Sequence, residues 1–155
     1  MENKLILLVE MAVTIMAFSS IIFQVKTTSD PSFNGFAFMG ILAHSFLALL
    51  SASVCLVLFE ISNNQKAIVQ SIGLVLGILT MMQSISVLMA DQKSTRLSKF
   101  LMVTTATGVF LLQVLNYSEV MDYSGGYLLA GILFHLIMSL VLFLIMITQE
   151  VKDPK

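Results

Sequence analysis

Charge is what this sequence most lacks. Only 11% of its 155 residues are Asp, Glu, Lys or Arg, where a soluble domain carries about 25%. Eight Lys plus Arg against nine Asp plus Glu leave a formal net charge of −1. With no basic excess to neutralise phosphates, nucleic acid is not an expected partner. Cysteine is nearly absent as well. The single Cys55 excludes an intrachain disulfide and any cysteine-based metal cluster. Catalytic signatures are missing too: there is no Gly-x-Ser-x-Gly elbow, no phosphate-binding glycine loop, no His-Glu-x-x-His and no pair of carboxylates within an apolar run. The polar breaks are too short to build a catalytic domain, so no enzymatic activity of the chain's own is expected.

What the sequence has is apolar length. Hydrophobic residues make up 57% of it, and they gather into runs at 5–25, 36–61, 67–90, 97–115 and 127–148. A bilayer core about 30 Å thick takes roughly 20 apolar residues of helix. In hydrocarbon every backbone polar group needs an internal partner, and the runs do not alternate as barrel strands do. The expected fold is therefore all-α: a polytopic integral membrane bundle of five transmembrane helices, forming a single transmembrane domain over 1–155. Pro31 and Gly35 punctuate the first break, and the second, 62–66, is short enough to make an antiparallel hairpin. Lys4 ahead of the first run, with Ala17 and Ser19 inside it, has the look of a secretory leader. The run continues apolar through Val25, so a retained helix is expected.

Basic residues give a direction. For five spans, Lys26, Lys93, Arg96, Lys99, Lys152 and Lys155 fall on one side and Lys4 and Lys66 on the other. The positive-inside rule then places the N-terminus outside and the C-terminus in the cytoplasm. Glu119 and Asp122, in a break without a basic residue, agree. The tripeptide Asn116-Tyr117-Ser118 on the outer side has the pattern of a glycosylation acceptor but lies close to the membrane, and reads as a chance match.

Residues 35–44 and 126–135 share Gly, Gly, Ile, Leu and His in register. Upstream, Phe23-Gln24-Val25 echoes Leu112-Gln113-Val114. Read as a duplication, the first and second spans match the fourth and fifth, with the third between them, which inverts the second copy. Inverted repeats recur in membrane proteins whose site lies at the midplane. His44 and His135, the only histidines in the chain, would each lie about 12–13 Å into the membrane, from opposite sides.

Polar and small side chains within spans are few, and at helical spacing they mark faces turned toward other helices. Such stripes are Gly40, His44, Ala48, Ser51 and Cys55; Gln70, Gly73, Gly77, Thr80 and Ser84; Gly131, His135 and Ser139; Thr104 and Gly108; and Glu10 with Thr14. Tight helix packing explains nearly all of them. The eleven Met residues, mostly within the apolar runs, read as adaptable packing; copper ligation would call for a Met and His cluster outside the membrane, which is absent. The histidines carry a sharper alternative, axial ligation of haem b by two imidazoles, with Gly40 and Gly131 leaving space for the macrocycle. A proton or quinone site using His44, His135 and Glu10 is another.

Parts of the chain resemble two known families. Ala43-His44 with Leu47-Ala48, and Leu76-Gly77-Ile78-Leu79-Thr80, are similar to helices of haem A synthase. Ser98, Thr107-Gly108 and Gly126-Tyr127-Leu128-Leu129 resemble copper-resistance membrane domains. The acidic motif ahead of the first histidine and the lysine in the last helix expected of those families are absent. The expected function is thus a small membrane subunit or accessory protein of a larger complex, in contact with lipid and with other membrane subunits or copies of itself. The alternatives are a haem-binding membrane cytochrome and a small oligomeric transporter or channel with a midplane site.

Overall fold

The computed structural model describes residues 1–29, 35–89, 96–118 and 125–148. Five helices account for nearly all of them: α1 (Glu2–Ser29), α2 (Phe36–Ile61), α3 (Gln65–Met89), α4 (Arg96–Tyr117) and α5 (Gly126–Thr148). No strand occurs among the described residues. Four of the helices, α1, α2, α3 and α5, are long and apolar enough to cross a membrane. Lys93, Glu119, Asp122, Lys152 and Lys155, which enter the expected orientation, lie outside the described residues.

Local chemistry explains where the helices run past the apolar segments. α1 continues beyond residue 25, where Thr27, Thr28 and Ser29 donate their hydroxyls back to the carbonyls of Phe23, Gln24 and Val25, at 2.9, 2.8 and 2.9 Å, and so satisfy themselves within the helix. The short α2–α3 connection works because Asn64 caps α3: its Oδ1 accepts the amide of Ala67 at 3.1 Å, satisfying one of the open donors of the first turn. The C-terminus of α5 is met by Lys26, whose ammonium donates to the carbonyl of Ile147 at 2.9 Å. A cation at the carbonyl end of a helix complements its dipole.

The chain packs as two units. The first comprises Met1–Ser53 and Ile132–Lys155. In it α2 and α5 run antiparallel: Ser139 reaches Ile41, and Leu142 lies over Gly40. Ala37, Ile41 and Met146 form a buried cluster, with Ile15, Ile22 and Phe23 of α1 packed on it. Phe23 stacks on Phe38 with ring centroids 4.1 Å apart, and its ring fills the space beside Gly35. The second unit is Val54–Gly131. There α3 and α4 pair antiparallel in a steady register, with Gln70 against Asn116, Gly77 against Phe110 and Gln113, and Met81 against Thr107.

Candidate functional site

Two polar centres lie inside the molecule, one in each unit. In the first unit, His44 of α2 and His135 of α5 are both buried and meet directly, Nδ1 to Nδ1 at 2.8 Å. One ring must donate and the other accept, so the pair is held in complementary tautomers with a single Nδ1–H between them. Phe134 lies edge-on to both rings. A second pair lies beside this one: Ser45 Oγ donates to Ser139 Oγ at 3.0 Å, and Ser139 Oγ donates to the carbonyl of Ile41 at 3.4 Å. Imidazoles and hydroxyls are thus partnered across α2 and α5 in a region where an unpartnered polar group is costly. An interhelical bond of this kind stabilises a membrane bundle by about 0.6 kcal/mol on average, and by up to about 1.7.

The sequence singled out these two histidines, and the structure brings them together within one unit. Two imidazoles on one iron would hold their ligand nitrogens roughly 4 Å apart, at about 2 Å from the metal each. The two Nδ1 atoms, 2.8 Å apart, are too close to take an iron between them. The glycines expected to open a slot are filled. A Cβ on Gly40 would stand 2.7 Å from Leu142 Cδ1, and one on Gly131 would stand 2.9 Å from Gln113 Nε2 and 3.1 Å from Leu76 Cδ2. Among the described residues no three or more of His, Cys, Asp and Glu gather into a group that could hold a metal ion.

The second centre surrounds Gln113 of α4. Its side chain threads between Gly73 and Gly77 of α3 and Gly131 at the start of α5. A Cβ at Gly73 would overlap Gln113 Oε1, and one at Gly77 would stand 3.2 and 3.3 Å from Gln113 Cβ and Cγ. Gln113 Nε2 donates to the carbonyl of Tyr127 at 2.6 Å, tying α4 to α5 within this unit. One turn on, Gln70 Nε2 donates to the carbonyl of Asn116 at 2.8 Å. Gln113 Oε1 and both side-chain polar atoms of Asn116 are buried with no hydrogen-bond partner. Sequence reading had Asn116 opening a break. Here it is the penultimate residue of α4 and fully buried, so its side chain is withdrawn from a modifying enzyme in the folded chain.

The remaining expected packing residues divide. Ser51, Gly73, Gly77, Gly131 and Ser139 are buried, and Gly40 is half-buried. Thr104, Gly108, Glu10 and Thr14 are exposed, and a Cβ on Gly108 would meet nothing. Glu10 therefore stands on the outside of α1, whereas His44 and His135 are buried. Gln113 and Asn116 were missed as interior residues. The signal available was their spacing of three, which sets both on one helical face. No protein family, curated protein or solved structure matches the chain.

Proposed function

We propose that this chain is a small integral membrane subunit or accessory protein of a larger membrane complex, without a soluble catalytic domain of its own. The observation that carries this reading is the outer face of α1. Its Glu10, Thr14 and Gln24 are all exposed on a helix apolar enough to cross a membrane. Carboxyl and amide groups inside a span are expensive against lipid and ordinarily face protein. Elsewhere in the described spans the imidazoles of His44 and His135 and the amides of Gln70 and Gln113 are buried within their own unit. α1 is also the least covered of the four apolar helices, with 22% of its apolar window buried against 39–44% for the others. A helix that turns its polar side outward suits attachment to another chain.

The finer topology belongs to the same proposal. Five alternating spans are supported by the antiparallel pairing of α3 and α4 and by Lys26 of α1 capping the end of α5, and an outside N-terminus with a cytoplasmic C-terminus by the distribution of basic residues. An inverted repeat of α1–α2 and α4–α5 is supported by the direct meeting of its two matched residues, His44 and His135. Size measurement after gentle extraction from native membranes tests the main reading. A particle larger than one chain in its detergent belt, with other polypeptides in fixed ratio, is expected; a lone monomer in every mild detergent would remove it.

A second reading, a small transporter or channel with a midplane site, draws on the same histidine pair, because two partnered imidazoles at that depth could pass a proton between them. Proton or solute flux in liposomes that is unchanged by His44→Leu and His135→Leu would dispose of it.

A further inference from the structure

Glu10 lies eight residues into α1, about 12 Å along its axis from Glu2. Thr14, one turn on, gives its hydroxyl hydrogen to the backbone carbonyl of Glu10 at 2.7 Å, not to the carboxyl group. Among the described residues no cation pairs with that carboxyl group. Beside it, α1 and α5 leave a groove of about 360 Å³, lined by Leu7, Glu10, Met11, Thr14, Ile15 and Leu140. Four of these lining residues are wholly apolar, and Glu10 is the one acid among them. The concavity thus combines an apolar trough with one anionic group.

That combination matches a long basic side chain. Lys and Arg bury an aliphatic stem against apolar surface while the charged head seeks a polar partner. In hydrocarbon such a head and a carboxylate need each other, since either alone is costly. We propose that the groove between α1 and α5 receives a Lys or Arg side chain from a transmembrane helix of a partner protein, with its head on Glu10 and its stem along Leu7, Met11, Ile15 and Leu140. The proposal rests on the accessory-subunit reading and names the chemistry of its partner. A second copy of this chain is a poorer occupant. Copies insert in one orientation, so a symmetric pair sets each residue against itself at the same height, Glu10 against Glu10. The basic residue nearest in sequence, Lys4, lies six residues earlier, about 9 Å away along the axis.

The test uses the full-length protein in phosphatidylcholine liposomes with synthetic helices as probes. The host is a leucine-rich peptide of about 21 residues, carrying Lys, Leu or Glu at the depth of Glu10. Energy transfer between labelled peptide and labelled protein reads association. The Lys peptide is expected to bind roughly tenfold more tightly than the Leu peptide, and Glu10→Leu or Glu10→Gln should remove the difference. Glu10 is exposed, so these variants are expected to fold, and their helix content and unfolding midpoint check that. Equal binding of Lys and Leu peptides overturns the proposal, as does a Lys preference that survives Glu10→Leu. Disulfide formation between copies bearing Ala17→Cys on α1, in a Cys55→Ala background, would make the occupant a second copy and overturn the partner-helix assignment. That last result would leave the accessory-subunit reading intact, whereas a monomer on gentle extraction removes that reading whatever the peptides do.

Discussion

α1 and α3 are alike in sequence and opposite in what they do with their polar residues. Both are long, both are apolar enough to cross a membrane, and both carry polar side chains at helical spacing. In α3 that stripe is buried: Gln70, Thr80 and Ser84 face inward, and Gly73 and Gly77 take the side chain of Gln113. In α1 the buried residues are Leu5, Leu8, Ala12 and Ser19, while Glu10, Thr14 and Gln24 point away. A polar stripe in a membrane helix therefore marks a face that wants protein, but not whether that protein is the same chain.

The contrast is broken most severely on the inner side. Gly77→Leu should cost the most. Its Cβ would lie 3.2–3.3 Å from Gln113 Cβ and Cγ and from the ring of Phe110. The first two atoms lie close to the α4 backbone and cannot swing aside, so α3 and α4 would have to part. Overpacking of this kind costs about 1–3 kcal/mol, occasionally more, and denaturant titration of the protein in mixed micelles would register it. The same change at Ala17, exposed on α1, should leave the midpoint unmoved. If Gly77→Leu were equally silent, the glycine cradle would be wrong.

Next in size is the histidine pair. His44→Leu or His135→Leu alone removes one partner and leaves a buried imidazole short of a bond, at about 1–3 kcal/mol each. The double variant should cost less than the sum, with a coupling of about 0.6–1.7 kcal/mol. A double-mutant cycle in the same micelles gives that number directly, and strict additivity would mean that the 2.8 Å contact contributes nothing.

The extent of the fold that could be read in advance follows from the same chemistry. The helices were legible because hydrocarbon allows a long apolar run little else. The inward faces of α2, α3 and α5 were legible because imidazole and amide groups have several donors and acceptors and seldom satisfy them alone. The faces of α1 and α4 were not, because a hydroxyl can be satisfied locally. Thr14 donates to Glu10 O, Ser20 to Met16 O and Thr104 to Phe100 O, each within its own helix at 2.7–2.9 Å. Such residues sit against lipid as readily as against protein, so their spacing carries no direction. Asn116 was hidden for another reason: it lies where apolar sequence ends, and only the helix continuing through Tyr117 turns it inward.

Smaller effects sharpen the comparison further. Gln113→Met keeps an unbranched side chain of similar length in the glycine cradle but removes both amide atoms. The bond to the Tyr127 carbonyl is lost, worth about 0.6 kcal/mol. The unpartnered Oε1 is lost with it, which relieves a desolvation penalty of about 1–3 kcal/mol. The balance favours a protein equally stable or slightly more so, by denaturant titration. A clear loss of stability would show instead that the amide oxygen has a partner in the membrane-embedded protein.

The smallest expected effect is the most telling for α1. Glu10→Leu touches no hydrogen bond of its own side chain among the described residues, and the bond from Thr14 goes to a backbone carbonyl that the substitution keeps. Taken alone, the chain should unfold within about 0.5 kcal/mol of the parent, as for other exposed sites. The same substitution made in native membranes should shift the protein from a large particle toward a single chain. An inner residue behaves in the opposite order, because losing its partner weakens the monomer before any assembly is formed. A Glu10→Leu protein that is destabilised on its own would mean that the carboxyl group belongs to the fold, and α1 would then differ from α3 only in how much of it is covered.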